Sequence, residues 1–196
     1  MTISADKVKE LREKTGVGFM ECKNALLEAK GDLDLAVTIL RKKGLSSLAK
    51  KSGRETKEGL IGAYVHNGKI GVMVEVNCES DFVARNSDFQ TLAHDIAMHI
   101  AASDPRFTSK EDVTEDVLAQ EREVYKAQAR LTGKPENVLD KIVEGRMSKF
   151  FSETCLLEQP YIKDPNISVR ELIAANIQKI GENIQVRRFM RYKVGE

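Results

Sequence analysis

The dipeptide Asn67-Gly68 constrains the fold more than any other feature of this sequence. It lies between two runs rich in apolar and β-branched residues, 60–66 and 69–76. Asn followed by Gly best tolerates the positive φ angles of a two-residue type I′ turn, which joins antiparallel strands. The sequence therefore predicts a β-hairpin over residues 60–76. Because two strands alone are marginal in water, the hairpin needs a third strand.

Residues 184–194 are predicted to supply that strand. Apolar and polar residues alternate in this run, which is the period of a strand with one buried face. The predicted inward residues are Ile184, Val186, Met190 and Tyr192. Two capping boxes, Ser87 to Gln90 and Ser168 to Glu171, predict the beginnings of helices that lie between the hairpin and this last strand.

A helical hairpin is predicted between the two capping boxes. Residues 117–131 and 138–151 carry apolar side chains at helical spacing, and Thr132-Gly133-Lys134-Pro135 interrupts them. Adjacent striped helices joined by a short turn pack antiparallel.

Three short helices are predicted in residues 1–44. Gly16, Gly31 and Gly44 are expected to end them, and Asp32 to cap the third. The predicted inward residues are Val8, Leu11, Phe19, Cys22, Leu26, Ala29, Leu33, Ala36, Val37 and Leu40. So thin a core is typical of a docking module. The fold class is therefore α+β: a small N-terminal three-helix bundle, then an antiparallel three-stranded sheet packed with helices and a helical hairpin.

The distribution of charge indicates two units. Residues 1–57 carry 13 basic and 8 acidic side chains, a net charge of +5, whereas the remainder carries −4. Ser52-Gly53 marks a joint between them. We expect residues 1–54 to form a partner-docking module that ends in a basic linker helix, and residues 55–196 to form the α+β core.

The basic stretch from Arg41 to Lys57 gives an alternative function, that of a nucleic-acid-binding or ribosome-associated protein. Such a run binds nucleic acid by neutralising phosphates. However, no aromatic residues are interleaved for base stacking, and no recognition motif accompanies the stretch. A solvated linker helix is the favoured interpretation, so no direct contact with nucleic acid is expected.

Motifs for catalysis and for cofactor binding are missing. Gly68-Lys69 and Gly133-Lys134 are followed by Ile and Pro instead of Ser or Thr, so neither forms a phosphate-binding loop. His94 and His99 are too loosely spaced for a metal site and are expected at the surface or half-buried on one helix. The three cysteines are expected to be reduced, buried and unreactive. We expect no cofactor, no metal and no covalent catalysis.

The hydropathy pattern predicts a cytoplasmic protein that does not contact membranes. No apolar run approaches the length of a membrane span. The N-terminus lacks the apolar core of a signal peptide.

Residues placed awkwardly for burial mark candidate contact sites. In Glu79-Ser80-Asp81-Phe82-Val83 a large ring lies between Asp and Val, where the hairpin leads into a helix. We expect Phe82 to insert into another protein instead of into the core of this chain. Met20 and Lys23 fall off the main stripe of the second helix. They mark a second contact surface, although packing of Met20 against the first helix is an equally good interpretation.

Three blocks of sequence resemble the family of bacterial elongation factor Ts. They are residues 11–26 (LREKTGVGFMECKNAL), 74–84 (VEVNCESDFVA) and 180–184 (IGENI), in the family's order and across nearly the whole chain. The resemblance implies a guanine-nucleotide exchange factor that binds elongation factor Tu·GDP, dislodges Mg²⁺ and promotes GDP release so that GTP can bind. It also implies a ubiquitin-associated-like fold for the N-terminal bundle.

The resemblance implies roles for individual residues. The family's Thr-Asp-Phe-Val element is Ser80-Asp81-Phe82-Val83 here. Its aromatic ring wedges between helices of the nucleotide-binding domain of elongation factor Tu and disturbs the Mg²⁺ site. Arg12, Met20 and Lys23 match positions that contact the same domain.

The resemblance also implies a homodimer. Longer family members contain two related copies of the hairpin unit and this chain contains one, so two chains together would restore the missing copy. Residues that match His66, Ile180 and Gly181 contact the partner near its phosphate loop in longer members. In this chain they are expected to act from the opposite protomer. A core position for Ile180 and a helix C-cap for Gly181 are equally good interpretations, and both kinds of role are compatible.

Overall fold

The chain has an α+β fold, as predicted, in which helices precede and then cover an antiparallel sheet. The computed structural model describes residues 3–131 and 136–196, without the side chains of residues 136 and 137. Its helices are α1 (Ala5–Thr15), α2 (Phe19–Glu28), α3 (Leu33–Lys51), α4 (Asp81–Ala84), α5 (Ser87–Ser103), α6 (Glu115–Leu131), α7 (Glu136–Thr154) and α8 (Val169–Ile180). Its strands are β1 (Glu58–His66), β2 (Ile70–Cys78), β3 (Pro160–Tyr161), β4 (Asp164–Ser168) and β5 (Ile184–Lys193).

The N-terminal helices α1, α2 and α3 share a small apolar core. Gly16, with a φ of 67°, ends α1, and the Asp32 carboxylate caps α3 by accepting a hydrogen bond from the Leu35 amide. Two residues predicted to point inward, Phe19 and Val37, are exposed instead. Phe19 begins α2 and lies beyond its buried face, and Val37 borders a groove between α3 and α8. The buried face of α2 consists of Cys22, Ala25 and Leu26.

Contrary to the prediction, Gly44 does not end α3, and the helix continues to Lys51. The reason is the packing of α3 against α8. A Cβ atom at Gly44 would lie 3.2 Å from the Gln178 Oε1 and 3.4 Å from the Ala174 carbonyl oxygen. The glycine therefore lets the two helices approach closely. As a result, α3 is one continuous helix that extends from the N-terminal core to the core formed by the sheet and its helices.

The predicted hairpin and third strand are confirmed. β1 pairs antiparallel with β2 over its full length, with Glu58 opposite Cys78, and β5 pairs antiparallel with the other side of β2. Asn67 and Gly68 have φ angles of 50° and 67°, the sign that a type I′ turn requires. The inner face of the sheet packs on α5 and α8 to form the main core, which includes Val72, Val74, Val76, Phe89, Ile96, Ile100, Ile173 and Ile177.

The alternation predicted for β5 is wrong in its second half. The pairing of β2 with β5 shifts by one residue between Glu75 and Val76, which places a β-bulge at Arg187. Later side chains of β5 therefore point to the opposite faces. Met190 and Tyr192, predicted to point inward, are exposed on the outer face of the sheet.

Of the two predicted capping boxes, the one at Ser168 is present and the one at Ser87 is not. Asn86, and not Ser87, caps α5, because its side-chain oxygen accepts a hydrogen bond of 2.8 Å from the Asp88 amide. Asn and Ser are equally good N-caps, and here the earlier residue takes the role. The predicted capping box between Ser168 and Glu171 is confirmed, with both of its hydrogen bonds present.

The helices α6 and α7 pack against each other, which confirms the predicted helical hairpin. Their shared core includes Val117, Leu118, Tyr125, Val143, Met147 and Phe150. The predicted turn between them, at 132–135, lies outside the described residues.

His99 is fully buried on α5, although the sequence predicts a surface or half-buried position. Its Nε2 lies 2.9 Å from the Gln159 Oε1, and its Nδ1 accepts a hydrogen bond of 3.2 Å from the Ile162 amide. These partners hold a neutral ring with the proton on Nε2, and burial lowers the pKa of His99. His94, one turn earlier, is exposed as expected.

Candidate functional site

Phe82 lies where β2 leads into the short helix α4, and it is 81% exposed. We call residues 78–84 the β2–α4 corner. The Ser80 hydroxyl caps α4 by accepting a hydrogen bond of 3.4 Å from the Val83 amide, and Val83 packs on the main core. Asp81 forms an ion pair of 2.9 Å with Arg85. The neighbours of Phe82 are thus anchored, while its ring faces solvent.

The Glu182 carboxylate holds this corner from the turn between α8 and β5. One oxygen accepts hydrogen bonds from the Glu79 and Ser80 amides, at 3.1 and 3.0 Å. The other accepts a hydrogen bond of 2.6 Å from the Ser80 hydroxyl. Hydrogen bonds to an ionised acceptor are stronger than bonds between neutral groups. The corner is therefore attached to a distant part of the chain by its backbone as well as by a side chain.

The turn that carries Glu182 is held in return. The Glu79 Oε1 accepts a hydrogen bond of 2.6 Å from the Asn183 amide and lies 3.4 Å from the Arg54 guanidinium. The buried Asn183 side chain donates a hydrogen bond of 2.9 Å to the Arg54 carbonyl oxygen. The two turns and the segment after α3 form one polar network.

Cys78 adjoins this network on its buried side. Its thiol donates a hydrogen bond of 3.1 Å to the Ser80 carbonyl oxygen. Burial, together with the Glu182 carboxylate, raises the pKa of the Cys78 thiol to about 11. Such a thiol stays protonated at neutral pH and is a poor nucleophile. Cys22 and Cys155 are also buried, which confirms the predicted burial of the three cysteines.

The C-terminal end of α8 connects the corner with α3. Gly181, with a φ of 94°, ends α8, and its carbonyl oxygen accepts a hydrogen bond of 2.6 Å from the Lys51 Nζ. Ile180 is half-buried against the main core. Both residues therefore have the structural roles that the sequence allows. They also immediately precede Glu182, beside the β2–α4 corner.

The N-terminal helices contact the same end of α8. The Gln178 side-chain amide donates a hydrogen bond of 3.0 Å to the Glu21 carboxylate on α2. Lys179 lies beside Gly16, and its Nζ forms an ion pair of 2.8 Å with Asp88 on α5. The N-terminal helices and the β2–α4 corner are thereby both connected to the last turns of α8.

The predicted contact residues of the N-terminal helices lie at the surface. Met20 is 60% exposed, so most of its side chain is not covered by α1. Lys23, on the same helix, and Arg12, on α1, are exposed as well.

His66 is distant from these residues. It ends β1 at the tip of the hairpin, whereas Phe82 follows the opposite end of β2. At a rise of about 3.3 Å per residue, the length of β2 separates the two sites by roughly 26 Å. The exposed His66 ring lies 3.0 Å from the Tyr64 hydroxyl and 3.3 Å from the side-chain nitrogen of Asn67. The structure does not bring His66 together with Phe82 in one chain.

The basic stretch is largely exposed, as a solvated helix requires, and several of its cations also contact other parts of the chain. Arg41 forms a bidentate ion pair with Glu171, at 2.6 and 2.5 Å, and its hydrogen bonds lower the pKa of that carboxyl to about 2. Lys43 pairs with Glu28 at 2.7 Å, and Lys51 contacts the end of α8 as described above. These cations attach α3 to its neighbours because carboxylates and free carbonyl oxygens face it.

Sequence reasoning missed Glu182, Glu79, Asn183 and Arg54 as site residues. Glu182 and Asn183 belong to the block IGENI, and Glu79 directly precedes Ser80. The sequence does show acidic and amide side chains in two separate motif blocks. However, the paired residues are 103 positions apart, so only the fold shows that they are in contact.

Other kinds of site are not apparent in the described parts of the chain. Across 3–131 and 136–196, His, Cys, Asp and Glu side chains do not form a group of three or more that could hold a metal ion. In the same ranges, no helix combines the length and the hydrophobicity needed to cross a membrane.

Comparison with known proteins gives consistent matches. A family model described as Elongation factor TS matches residues 46–196. The chain is 62% identical over 195 residues to Elongation factor Ts of Solibacter usitatus (strain Ellin6076), covering 99% of this chain and 92% of that protein. It is 61% identical over 197 residues to Elongation factor Ts of Koribacter versatilis (strain Ellin345), covering 100% and 90%. For Elongation factor Ts of Fervidobacterium nodosum the identity is 57% over 197 residues, covering 100% of both chains.

Proposed function

The chain belongs to the elongation factor Ts family, and from this premise we propose that it is the guanine-nucleotide exchange factor for elongation factor Tu in the cytoplasm. It binds elongation factor Tu·GDP, dislodges Mg²⁺ and promotes the release of GDP, so that GTP can bind. Residues 1–54 serve as the docking module, and residues 55–196 form the core and dimerise. The chain acts without covalent catalysis.

The observation that carries this proposal is the exposure of Phe82 on an anchored corner. GDP is held largely by Mg²⁺ and by groups around its phosphates, which are the strongest local charges in such a site. A ring inserted between helices of the partner displaces those groups from their positions around the nucleotide. The nucleotide then loses its electrostatic contacts, and water replaces them.

Exchange of this kind needs no acid, base or nucleophile in the exchange factor. The factor binds nucleotide-free elongation factor Tu more tightly than the GDP complex, and linkage makes the effect reciprocal. If the factor weakens GDP binding by a given ratio, GDP weakens the binding of the factor by the same ratio.

We assign the docking contacts to the exposed residues of the N-terminal helices. Met20 supplies an adaptable apolar contact, and Arg12 and Lys23 supply positive charge. Their helices are connected to the last turns of α8, so the docking module and the β2–α4 corner can contact one partner domain together. Ile180 and Gly181 lie between them.

We propose that the outer face of the sheet pairs with the same face of a second copy. This outer sheet face carries exposed apolar side chains from all three strands: Ile61, Ala63, Val65, Met73, Met190 and Tyr192. Cross-strand neighbours make the patch continuous, because Met73 is paired with both Ala63 and Met190. A patch of this kind is unusual on a monomer, and a two-fold axis covers it with an identical surface.

Dimerisation gives His66 a role that it does not have in one chain. Because His66 is far from the β2–α4 corner, His66 and Phe82 of one chain are not expected to contact the same small site on the partner. In the dimer, His66 of one protomer contacts the elongation factor Tu that is engaged by Phe82 of the other.

The alternative function, nucleic-acid or ribosome binding through residues 41–57, has less support. Arg41, Lys43 and Lys51 contact groups of the chain itself. Binding to phosphates would weaken steeply with rising salt, with a logarithmic slope set by the number of phosphates neutralised. Docking to elongation factor Tu is expected to change much less over the same range of salt.

Release of fluorescent GDP from elongation factor Tu tests the proposal. The wild-type chain, added at catalytic amounts with excess unlabelled GDP and Mg²⁺, should raise the release rate by at least about tenfold. Chelation of Mg²⁺ should reduce the factor by which the chain accelerates GDP release, because the metal is then already absent from the site. If the wild-type chain does not accelerate release, the proposed function is wrong.

A further inference from the structure

We propose that Glu182 is a positioning residue for exchange, which acts by fixing the direction in which the β2–α4 corner presents Phe82. The inference rests on the proposed function and deepens it. Glu182 itself does not need to contact elongation factor Tu. Its carboxylate is occupied by the Glu79 and Ser80 amides and by the Ser80 hydroxyl.

The short helix α4 is not stable by itself. It has four residues, Asp81–Ala84, and a helix of one turn lacks intrinsic stability in water. Its N-cap is the Ser80 hydroxyl, which accepts from the Val83 amide. The same hydroxyl donates its hydrogen to Glu182, which leaves its lone pairs directed at α4. The carboxylate therefore sets the orientation of the cap that begins the helix.

The Phe82 side chain has little packing within this chain. A ring that is 81% exposed gains no fixed position from neighbouring side chains, so the backbone of α4 determines where it points. Insertion between the helices of a partner requires the ring in one place. A misplacement of about 1 Å at a functional group can cost up to roughly 100-fold in rate.

The contact between the β2–α4 corner and the turn that carries Glu182 is reciprocal. Glu182 holds the backbone on either side of the Glu79–Ser80 bond, while the Glu79 carboxylate holds the backbone of Asn183. Arg54 joins this pair through its guanidinium and its carbonyl oxygen. Each of the two turns is therefore held by hydrogen bonds from the other turn as well as by its own. This arrangement suits a site that must not yield when the ring is pushed against another protein.

Substitution of Glu182 tests the inference by GDP release from elongation factor Tu. Glu182→Ala should lower the maximal rate of release by about fivefold, with a small change in the concentration that gives half of that rate. Glu182→Gln keeps an acceptor oxygen and should lose only about twofold. The matched control is Glu153→Ala, which removes an exposed glutamate of the pair with Lys149 on α7 and should exchange as the wild type does.

A double-mutant cycle with Phe82→Ala separates positioning from general stability. If Glu182 acts through Phe82, then Glu182→Ala should have no further effect on release once the ring is gone. A role in overall folding predicts a further loss in both backgrounds. Additive effects, or a Glu182→Ala protein as fast as wild type, would overturn the inference.

The proposed function remains distinguishable from this inference. Failure of the wild-type chain to accelerate release overturns the function, whereas full activity of Glu182→Ala overturns only the positioning role. Amide hydrogen exchange provides a readout in the protein alone: Glu182→Ala should speed exchange at Ser80 and Val83 selectively. Unchanged protection at both amides would contradict the inference. If Glu182→Ala cannot be purified, the same measurement on Glu182→Gln applies the same test.

Discussion

The β2–α4 corner and the outer sheet face both expose apolar side chains, but they are built in different ways. At the corner, a single ring is presented by a polar network that includes Glu79, Ser80, Glu182 and Asn183. On the sheet, several apolar side chains lie side by side on regular strands, for example Met73 beside Met190. A single ring on a fixed base suits insertion into a partner, whereas a broad apolar face suits lasting association. On the proposed function, the same kind of residue would make a transient contact in one place and a stable one in the other.

The largest effect is expected from a charge on the outer sheet face. Met73→Glu would bury an unpaired carboxylate between two protomers, and we expect the dissociation constant of the dimer to rise at least about 100-fold. Sedimentation equilibrium measures this shift. Met20→Glu alters an equally exposed methionine outside the sheet and should leave the dimer intact. If Met73→Glu is as dimeric as the wild type, the face is not the interface.

The ion pair between α3 and α8 should contribute a moderate, acid-sensitive share of the stability. Arg41→Ala is expected to lower the free energy of unfolding by about 1 kcal/mol, a value reduced for the partial exposure of both partners. The folded pKa of Glu171, about 2, is below its ordinary value of 4.5. The contribution is therefore complete above about pH 4.5 and is lost as the pH falls toward 2. Chemical denaturation at pH 7 and pH 3 checks both statements, and an equal difference at the two values would contradict them.

A smaller effect is expected from His99. Its folded pKa is lowered by burial, so the unfolded chain binds the proton more readily below the ordinary pKa of 6.5. Stability is complete above pH 6.5 and decreases as the pH falls through the folded pKa, by at most about 1.4 kcal/mol per pH unit. His99→Gln should flatten this part of the curve, whereas His94→Gln, on the exposed side of α5, should not. A wild-type stability that is constant from pH 7 to 5.5 would contradict the assignment.

Local signals predicted the elements that depend on local geometry. The hairpin follows from Asn67-Gly68 because both residues take positive φ angles there, and the Ser168 box needs only its own turn. The exposure of Phe82 was also predictable, since Asp81 precedes the ring and the chain turns there. Recognition of the family then supplied a role that geometry alone does not give.

Features that depend on distant partners could not be predicted. The bulge at Arg187 is a property of the register with β2, so the alternation of β5 gave no sign of it. Glycine is a residue that commonly ends helices, but Gly44 instead allows the close packing of α3 against α8. The pairing of Glu182 with Ser80 joins residues that are 102 positions apart. In each case the sequence contains the residue, and the fold decides what the residue contacts.

Loss of exchange on removal of one ring tests the central claim most directly. The measurement is fluorescent GDP release from elongation factor Tu with Phe82→Ala and with Leu131→Ala, an 87% exposed leucine at the end of α6. Both changes remove an exposed apolar side chain and should alter the unfolding free energy by no more than about 0.5 kcal/mol. We predict that Phe82→Ala loses at least about tenfold in exchange and that Leu131→Ala equals the wild type. Full exchange activity of a folded Phe82→Ala protein would contradict the account.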